Sequence, residues 1–254
     1  VRTSYPPAEK IPEGMDWDLW LGPCQEDVPF SRAIHPTTWR PWWSFGCGGL
    51  GDIGCHTIDT AYWALGLGAP DRVEVDMTEK ANPIHTPNGS IVTYKFPARG
   101  KQPAVDVKWI EGPRLPKAPK GYDWEIKGNG GFIMVGEKGG ISHDGMRPNS
   151  PMLYPKSRWE SYRKNANERV PKTLKRVPGI HNDWVNGIRN SEMTVSDFSY
   201  SGPLTESIIL GTLAIRTGKG LEWSSKDMKI SDNQEAADLV NVEARKGWRT
   251  SDLI

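Results

Sequence analysis

Three stretches in which apolar and polar residues alternate constrain the fold most. Val73, Val75 and Met77 mark the first, Val92, Tyr94 and Phe96 the second, and Val105, Val107 and Trp109 the third. A period of two sends successive side chains to opposite faces, so each stretch reads as a half-buried strand. Short connections between them favour antiparallel neighbours, with one sheet face on a core and the other in water. Shorter strands are expected at Trp124 and Ile126 and from Phe132 to Val135, with a return strand from Ile141 to His143 after a glycine-rich turn.

Helical patterning lies on both sides of this run. One helix is expected from Asp52 to about Leu65, ended by Gly66 and Gly68. Others are expected at residues 181–188, from Pro203 to Thr217 with Gly218 as the stop, and from Asn233 to Arg245. Helix, then strands, then helices is an α+β order. The expected fold is an open, mainly antiparallel β-sheet with helices packed on one face. Residues 1–14 read as an extended lead-in, residues 15–47 as a Trp- and Pro-rich folded loop, and residues 145–180 as a long excursion.

Composition narrows the function classes. The 254 residues carry 32 basic and 31 acidic side chains, a net charge of +1, which argues against a nucleic-acid partner. No run of about 18 apolar residues is present, so no membrane-spanning helix is expected. Cys24, Cys47 and Cys55 have no metal-ligand spacing, so no metal site or disulfide framework is indicated. The chain opens Val1-Arg2-Thr3 with no initiator Met, which raises the expectation that a leader or a whole domain precedes it.

The chemistry concentrates in Gly48-Gly49-Leu50-Gly51-Asp52-Ile53-Gly54-Cys55-His56-Thr57-Ile58-Asp59. A glycine turn runs into a helix on which Asp52 and His56, four residues apart, share a face. Asp59 and Trp63 continue that stripe, while Ile58, Tyr62 and Leu65 fall on the other side. A carboxylate beside an imidazole at a glycine turn is a candidate proton-handling site. Gly46 to Gly51 also matches G-x-G-x-x-G, but that fingerprint needs a buried strand before it, and Pro41 among the preceding tryptophans argues against one.

This run resembles the second-domain signature of the glucose–fructose oxidoreductase / inositol dehydrogenase / rhizopine catabolism (Gfo/Idh/MocA) family. Asp52, Gly54, His56 and Asp59 stand at its G-G-x-x-x-D-x-G-x-H-x-x-D positions. Trp17 to Pro23 and Trp39 to Trp43 look like a bacterial subgroup of that family. Gly202 to Glu206, Leu210-Gly211 and Leu221 to Trp223 look like its closing helix and strand. The resemblance implies an open sheet like that of the C-terminal domains of dihydrodipicolinate reductase and glyceraldehyde-3-phosphate dehydrogenase. It implies a domain at residues 48–254 that binds a sugar or polyol and builds homodimers or homotetramers through the sheet. It also implies NAD or NADP, bound mainly by an N-terminal domain that these residues do not contain, together with that domain's catalytic lysine. The compartment, bacterial cytoplasm or periplasm, stays open.

Each candidate residue carries a structural reading beside the functional one. His56 suits the base that takes a hydroxyl proton, since a free imidazole titrates at about pH 6.5. Asp52 either orients the hydroxyl or holds His56 in one tautomer, or simply complements the helix dipole. Asp59 is a substrate contact or an internal hydrogen-bonding group. His181 faces substrate by resemblance, or is an exposed residue beside a capping Asn182. Arg40 with Trp39, Trp42 and Trp43 offers a guanidinium fork and aromatic faces for a sugar; the alternative is that the tryptophans fill the core. His35 is a further candidate, whereas Trp17 and Trp20 read as packing anchors. Two other functions remain open: redox-neutral lyase, hydratase or glycosidase chemistry on a retained NAD, and a stand-alone carbohydrate-binding or assembly module.

Overall fold

The computed structural model describes residues 2–114, 116–122, 124, 130–148 and 150–252. The chain forms two compact units, Val1–Leu115 with Glu206–Ile254, and Pro116–Thr205.

The first unit opens with a short helix, α1 (Trp17–Leu21), and a long one, α2 (Gly48–Leu65). The three alternating stretches form β1 (Arg72–Met77), β2 (Ser90–Phe96) and β3 (Val105–Glu111). The second unit holds a meander of β4 (Gly131–Gly136), β5 (Gly139–Asp144) and β6 (Met152–Tyr154), followed by α3 (Lys156–Lys164) and α4 (Ile180–Asn190). Helix α5 (Phe198–Thr217) leads into β7 (Leu221–Ser224), β8 (Lys229–Ile230) and α6 (Gln234–Asp238). The five-stranded sheet has the order β3-β2-β1-β7-β8 and the smaller one β4-β5-β6; every pairing is antiparallel.

The register sorts the larger sheet's faces as the alternation requires. Val73, Val92, Tyr94 and Phe96 are between 0% and 2% exposed on the inner face. On the outer face Glu222, Arg72, Glu74, Lys95 and Asp106 make a ladder of ion pairs crossing four strands. Such exposed pairs contribute only ~0–1 kcal/mol each, so burial of the inner face supplies most of the stability.

Four glycines within α2 each cost a helix ~1 kcal/mol relative to Ala. Close packing offsets that cost. A Cβ at Gly54 would stand 3.3 Å from Ile208 of α5, and one at Gly51 would stand 3.6 Å from Thr212. The helix stops at Gly66, whose φ of 55° is left-handed and whose N–H returns to Trp63 and Tyr62 carbonyls.

Several elements differ from the sequence reading. Residues 15–47 contain α1, capped by Asp16, whose carboxylate accepts from the Leu19 N–H at 2.9 Å. Five residues are too few to show a period. The excursion at 145–180 contains β6 and α3. The last helix ends at Asp238 rather than Arg245; Arg245 instead donates from Nη1 to Asp18 at 2.6 Å and anchors the tail to α1. The strand expected at Trp124 and Ile126 reaches outside the described residues at Ile126, while Trp124 is buried.

The opening segment packs as its own aromatic core. Trp17, Leu21, Val28, Phe30, Ile34 and Trp42 are buried, with Trp20, Trp39 and Phe45 packed against them. Trp17 and Trp20 thus anchor it, stacked at 4.5 Å. Residues 5–9 strap this core. Tyr5 stacks on Trp42 at 5.3 Å, and the Glu9 carboxylate accepts from the Ser31 hydroxyl at 2.8 Å and the Arg32 N–H at 2.9 Å. Those two hydrogen bonds hold the Glu9 carboxyl below its ordinary value. A carboxyl depressed in the folded state stabilises above its unfolded pKa and loses that contribution as pH falls through the folded value. The strap is therefore expected to loosen below about pH 4. Limited proteolysis at residues 2–15 will show it, and Glu9→Gln will loosen the strap at neutral pH as well.

Candidate functional site

The first turn of α2 and the loop at residues 35–46 build the site together. Pairing of residues 41–43 with residues 84–86 fixes the loop: the Trp43 N–H donates to the Ile84 carbonyl at 3.0 Å and the Thr86 N–H to the Pro41 carbonyl at 2.8 Å. The Gly48 N–H donates to the Arg40 carbonyl at 3.0 Å. Gly46 lies so close to the Arg40 backbone that any Cβ there would collide with it. Arg40 is thereby held against the start of α2.

Its guanidinium makes three contacts. Nε pairs with Asp52 Oδ2 at 2.8 Å, Nη1 donates to the Thr37 carbonyl at 3.2 Å, and the group lies 5.7 Å from the Trp39 ring centroid. The side chains of Arg40 and Asp52 are 51% and 37% exposed. A pair in that much water is worth ~0.2–1 kcal/mol, so an incoming hydroxyl can share Asp52 at little cost. His56 stands exposed one turn further on, and exposed Trp63 ends the stripe, with half-buried Asp59 between them. Ile58 and Tyr62, on the opposite side, are buried.

The other candidates are placed differently. Trp42 is 1% exposed, enclosed by Tyr5, the Arg2 guanidinium and the edge of His85. Trp43 is half-buried; its Nε1 donates to the Asn82 carbonyl at 2.9 Å, and Arg216 covers its face at 5.7 Å. His181 lies exposed in the first turn of α4, in the second unit. Gly179 holds the N-cap there, without a side-chain bond from Asn182.

Two neighbours carry no signal in the sequence. Glu111 accepts from the Ser90 hydroxyl at 2.9 Å and from Trp109 Nε1 at 3.1 Å. Its Oε2 reaches the start of α2, where a Cβ on Gly49 would stand 2.5 Å away. Arg216 lies beside Cys47. Both neighbours come from strands or helices remote in sequence. Only the fold brings them to the glycine turn.

Glu111 also bears on the G-x-G-x-x-G match. Turns, not a strand, precede Gly46. The positive pole of α2, which a pyrophosphate would use, already has a carboxylate against it. These residues do not fit a dinucleotide phosphate.

Residues 2–118 match the family model described as the oxidoreductase family, C-terminal alpha/beta domain. That stretch, just under half of the chain, is similar to the C-terminal domain of the Gfo/Idh/MocA oxidoreductases. The matched stretch contains the opening aromatic core, α2 and β1 to β3, and therefore Arg40, Asp52, His56 and Asp59. No curated protein matches the chain. The open antiparallel sheet with helices on its inner face is the architecture expected of such a domain. Among the described residues no helix is long and apolar enough to cross a membrane, and no cluster of His, Cys, Asp and Glu is arranged to hold a metal ion.

Proposed function

We propose that this chain, as a Gfo/Idh/MocA C-terminal domain, binds a sugar or polyol and moves its hydroxyl proton during NAD(P)-dependent oxidation. The observation that carries the reading is the Arg40–Asp52 pair at the head of a stripe that continues to His56. NAD(P), held outside these residues, would supply the hydride acceptor. The chain's own part is binding and proton handling. Arg40 holds Asp52 in place through Nε and leaves Oδ1 to accept a substrate hydroxyl. His56 takes the proton from the hydroxyl being oxidised. Trp39, braced against the buried aromatic core, offers its ring to the sugar's C–H surface. Asp59 and Trp43 are assigned as outer contacts. Trp42 supports the loop from beneath.

Homo-oligomers would form through the outer face of β1 to β3 and β7, where charges of both signs alternate and two copies can pair across a two-fold axis.

Saturation-transfer NMR with a panel of monosaccharides and polyols tests the binding step. Saturable contacts are expected in the wild type and their loss in Arg40→Ala. A chain that binds no member of the panel ends this reading.

A further inference from the structure

Residues 163–180 run from the end of α3 into α4 and carry six Lys or Arg against one Glu, in a chain whose net charge is +1. From residue 169 to residue 179 the backbone is irregular and exposed, with Val177 alone half-buried. Arg163, Lys164, Arg169, Lys172, Lys175 and Arg176 make no ion pair among the described residues. Cations of the larger sheet are placed differently: Arg72 pairs with Glu222 at 2.9 Å and Lys95 with Asp106 at 2.7 Å. Like charges gathered without counter-charges repel one another, and an anionic partner relieves that repulsion.

Apolar side chains interleave with these cations. Val170 is 73% exposed and Leu174 56%. The segment then enters α4, where Ile180, Trp184 and Ile188, spaced four apart, form one stripe. All three are between 52% and 66% exposed. A neighbouring face of α4 is already occupied. Buried Asp183 accepts from the Val195 N–H at 2.8 Å, and a Cβ on Gly187 would stand 2.8 Å from Thr194. That packing holds the helix and leaves the apolar stripe in water. Apolar surface so exposed, beside unpaired cations, marks an interaction site.

We propose that residues 169–188 dock this unit on an anionic phospholipid surface. A nucleic acid or an acidic polysaccharide would use the cations but leave Val170, Leu174 and Ile180 idle. A protein partner would use the apolar side chains, yet protein interface cores are depleted of Lys. A bilayer interface takes both. Headgroup phosphates meet the Lys and Arg side chains, aliphatic side chains enter the acyl boundary, and a Trp sits at headgroup level. Such binding is peripheral and needs no helix that crosses the bilayer. The proposal concerns the unit Pro116–Thr205 by itself and is independent of the saccharide reading.

The test is co-sedimentation of the chain with vesicles of an equal mixture of phosphatidylcholine and phosphatidylglycerol, and with vesicles of phosphatidylcholine alone. The mixed vesicles are expected to bind the wild type at least about ten-fold more tightly, and high salt should release it. Replacing Lys172, Lys175 and Arg176 together by Gln should weaken binding about a hundred-fold, because each basic side chain near an anionic surface contributes a factor of about five. Val170→Ser with Leu174→Ser should weaken it about ten-fold, through lost apolar burial. Failure of the wild type to bind the mixed vesicles overturns the proposal, as does binding that both variants retain. Loss with the Gln variant but not with the Ser variant overturns the lipid assignment in favour of a general polyanion surface. Light scattering that shows a dimer made monomeric by Trp184→Ser, with no vesicle binding, overturns it in favour of contact between copies.

Discussion

With His56 as the proposed base, replacing it by alanine is expected to lower NAD(P)-dependent turnover of the enzyme that contains this chain by roughly 10²–10⁴-fold, the usual worth of a positioned general base. Stability should hardly change. His56 is exposed, and surface substitutions away from caps and buried networks stay within ~0.5 kcal/mol. This contrast separates a base from a packing residue. A structural histidine would lower the melting temperature and leave the turnover of the surviving enzyme intact. Asp52→Asn complements the test, because it keeps the side chain's shape but removes the charge that faces Arg40 at 2.8 Å. If Asp52 orients the reacting hydroxyl, kcat and KM will both suffer. If it serves only the helix dipole, the loss will be a few tenths of a kcal/mol in stability with kinetics unchanged. Wild-type turnover in both variants removes the proton-transfer role from this stripe.

Local periodicity carried much of this architecture into the sequence. The alternation at Val73, Val92 and Val105 identified three strands and the face each would bury, because a period of two has one geometric solution on a half-buried sheet. The Asp52–His56 spacing likewise fixed a shared helix face. Features set by long-range packing were not legible. Nothing near Trp39 or Trp42 in sequence distinguishes the ring that lies half-open beside Arg40 from the ring sealed under Tyr5 and Arg2. Glu111 reaches the glycine turn only because β3 lies beneath α2. The short α1 and α3 carry too few turns for a period to emerge from their neighbours.

The contact between β2 and α5 yields the largest stability effect. Tyr94 is 1% exposed, and its hydroxyl has no hydrogen-bond partner among the described residues. Burial, with the Glu111 charge adding, pushes the phenol's pKa up, so the hydroxyl stays protonated and its donor stays unspent. It lies against Gly211, where any Cβ would collide with it and would stand 2.7 Å from Leu50 Cδ2. Gly211→Ala gains ~1 kcal/mol of helix propensity but forces the ring and Leu50 aside, an overpacking cost of up to ~3 kcal/mol. The net loss should be roughly 2 kcal/mol, a fall in melting temperature of about 5 °C for a chain of this size. Tyr94→Phe is expected to be neutral or to stabilise by ~1 kcal/mol, since it removes a buried polar atom that nothing satisfies. In the Phe background Gly211→Ala should cost at least ~1 kcal/mol less than in the wild type, a coupling that a double-mutant cycle reads directly. Additivity of the two changes within ~0.3 kcal/mol would show that the hydroxyl does not meet this glycine, and that α5 sits further from the sheet than the distances here place it.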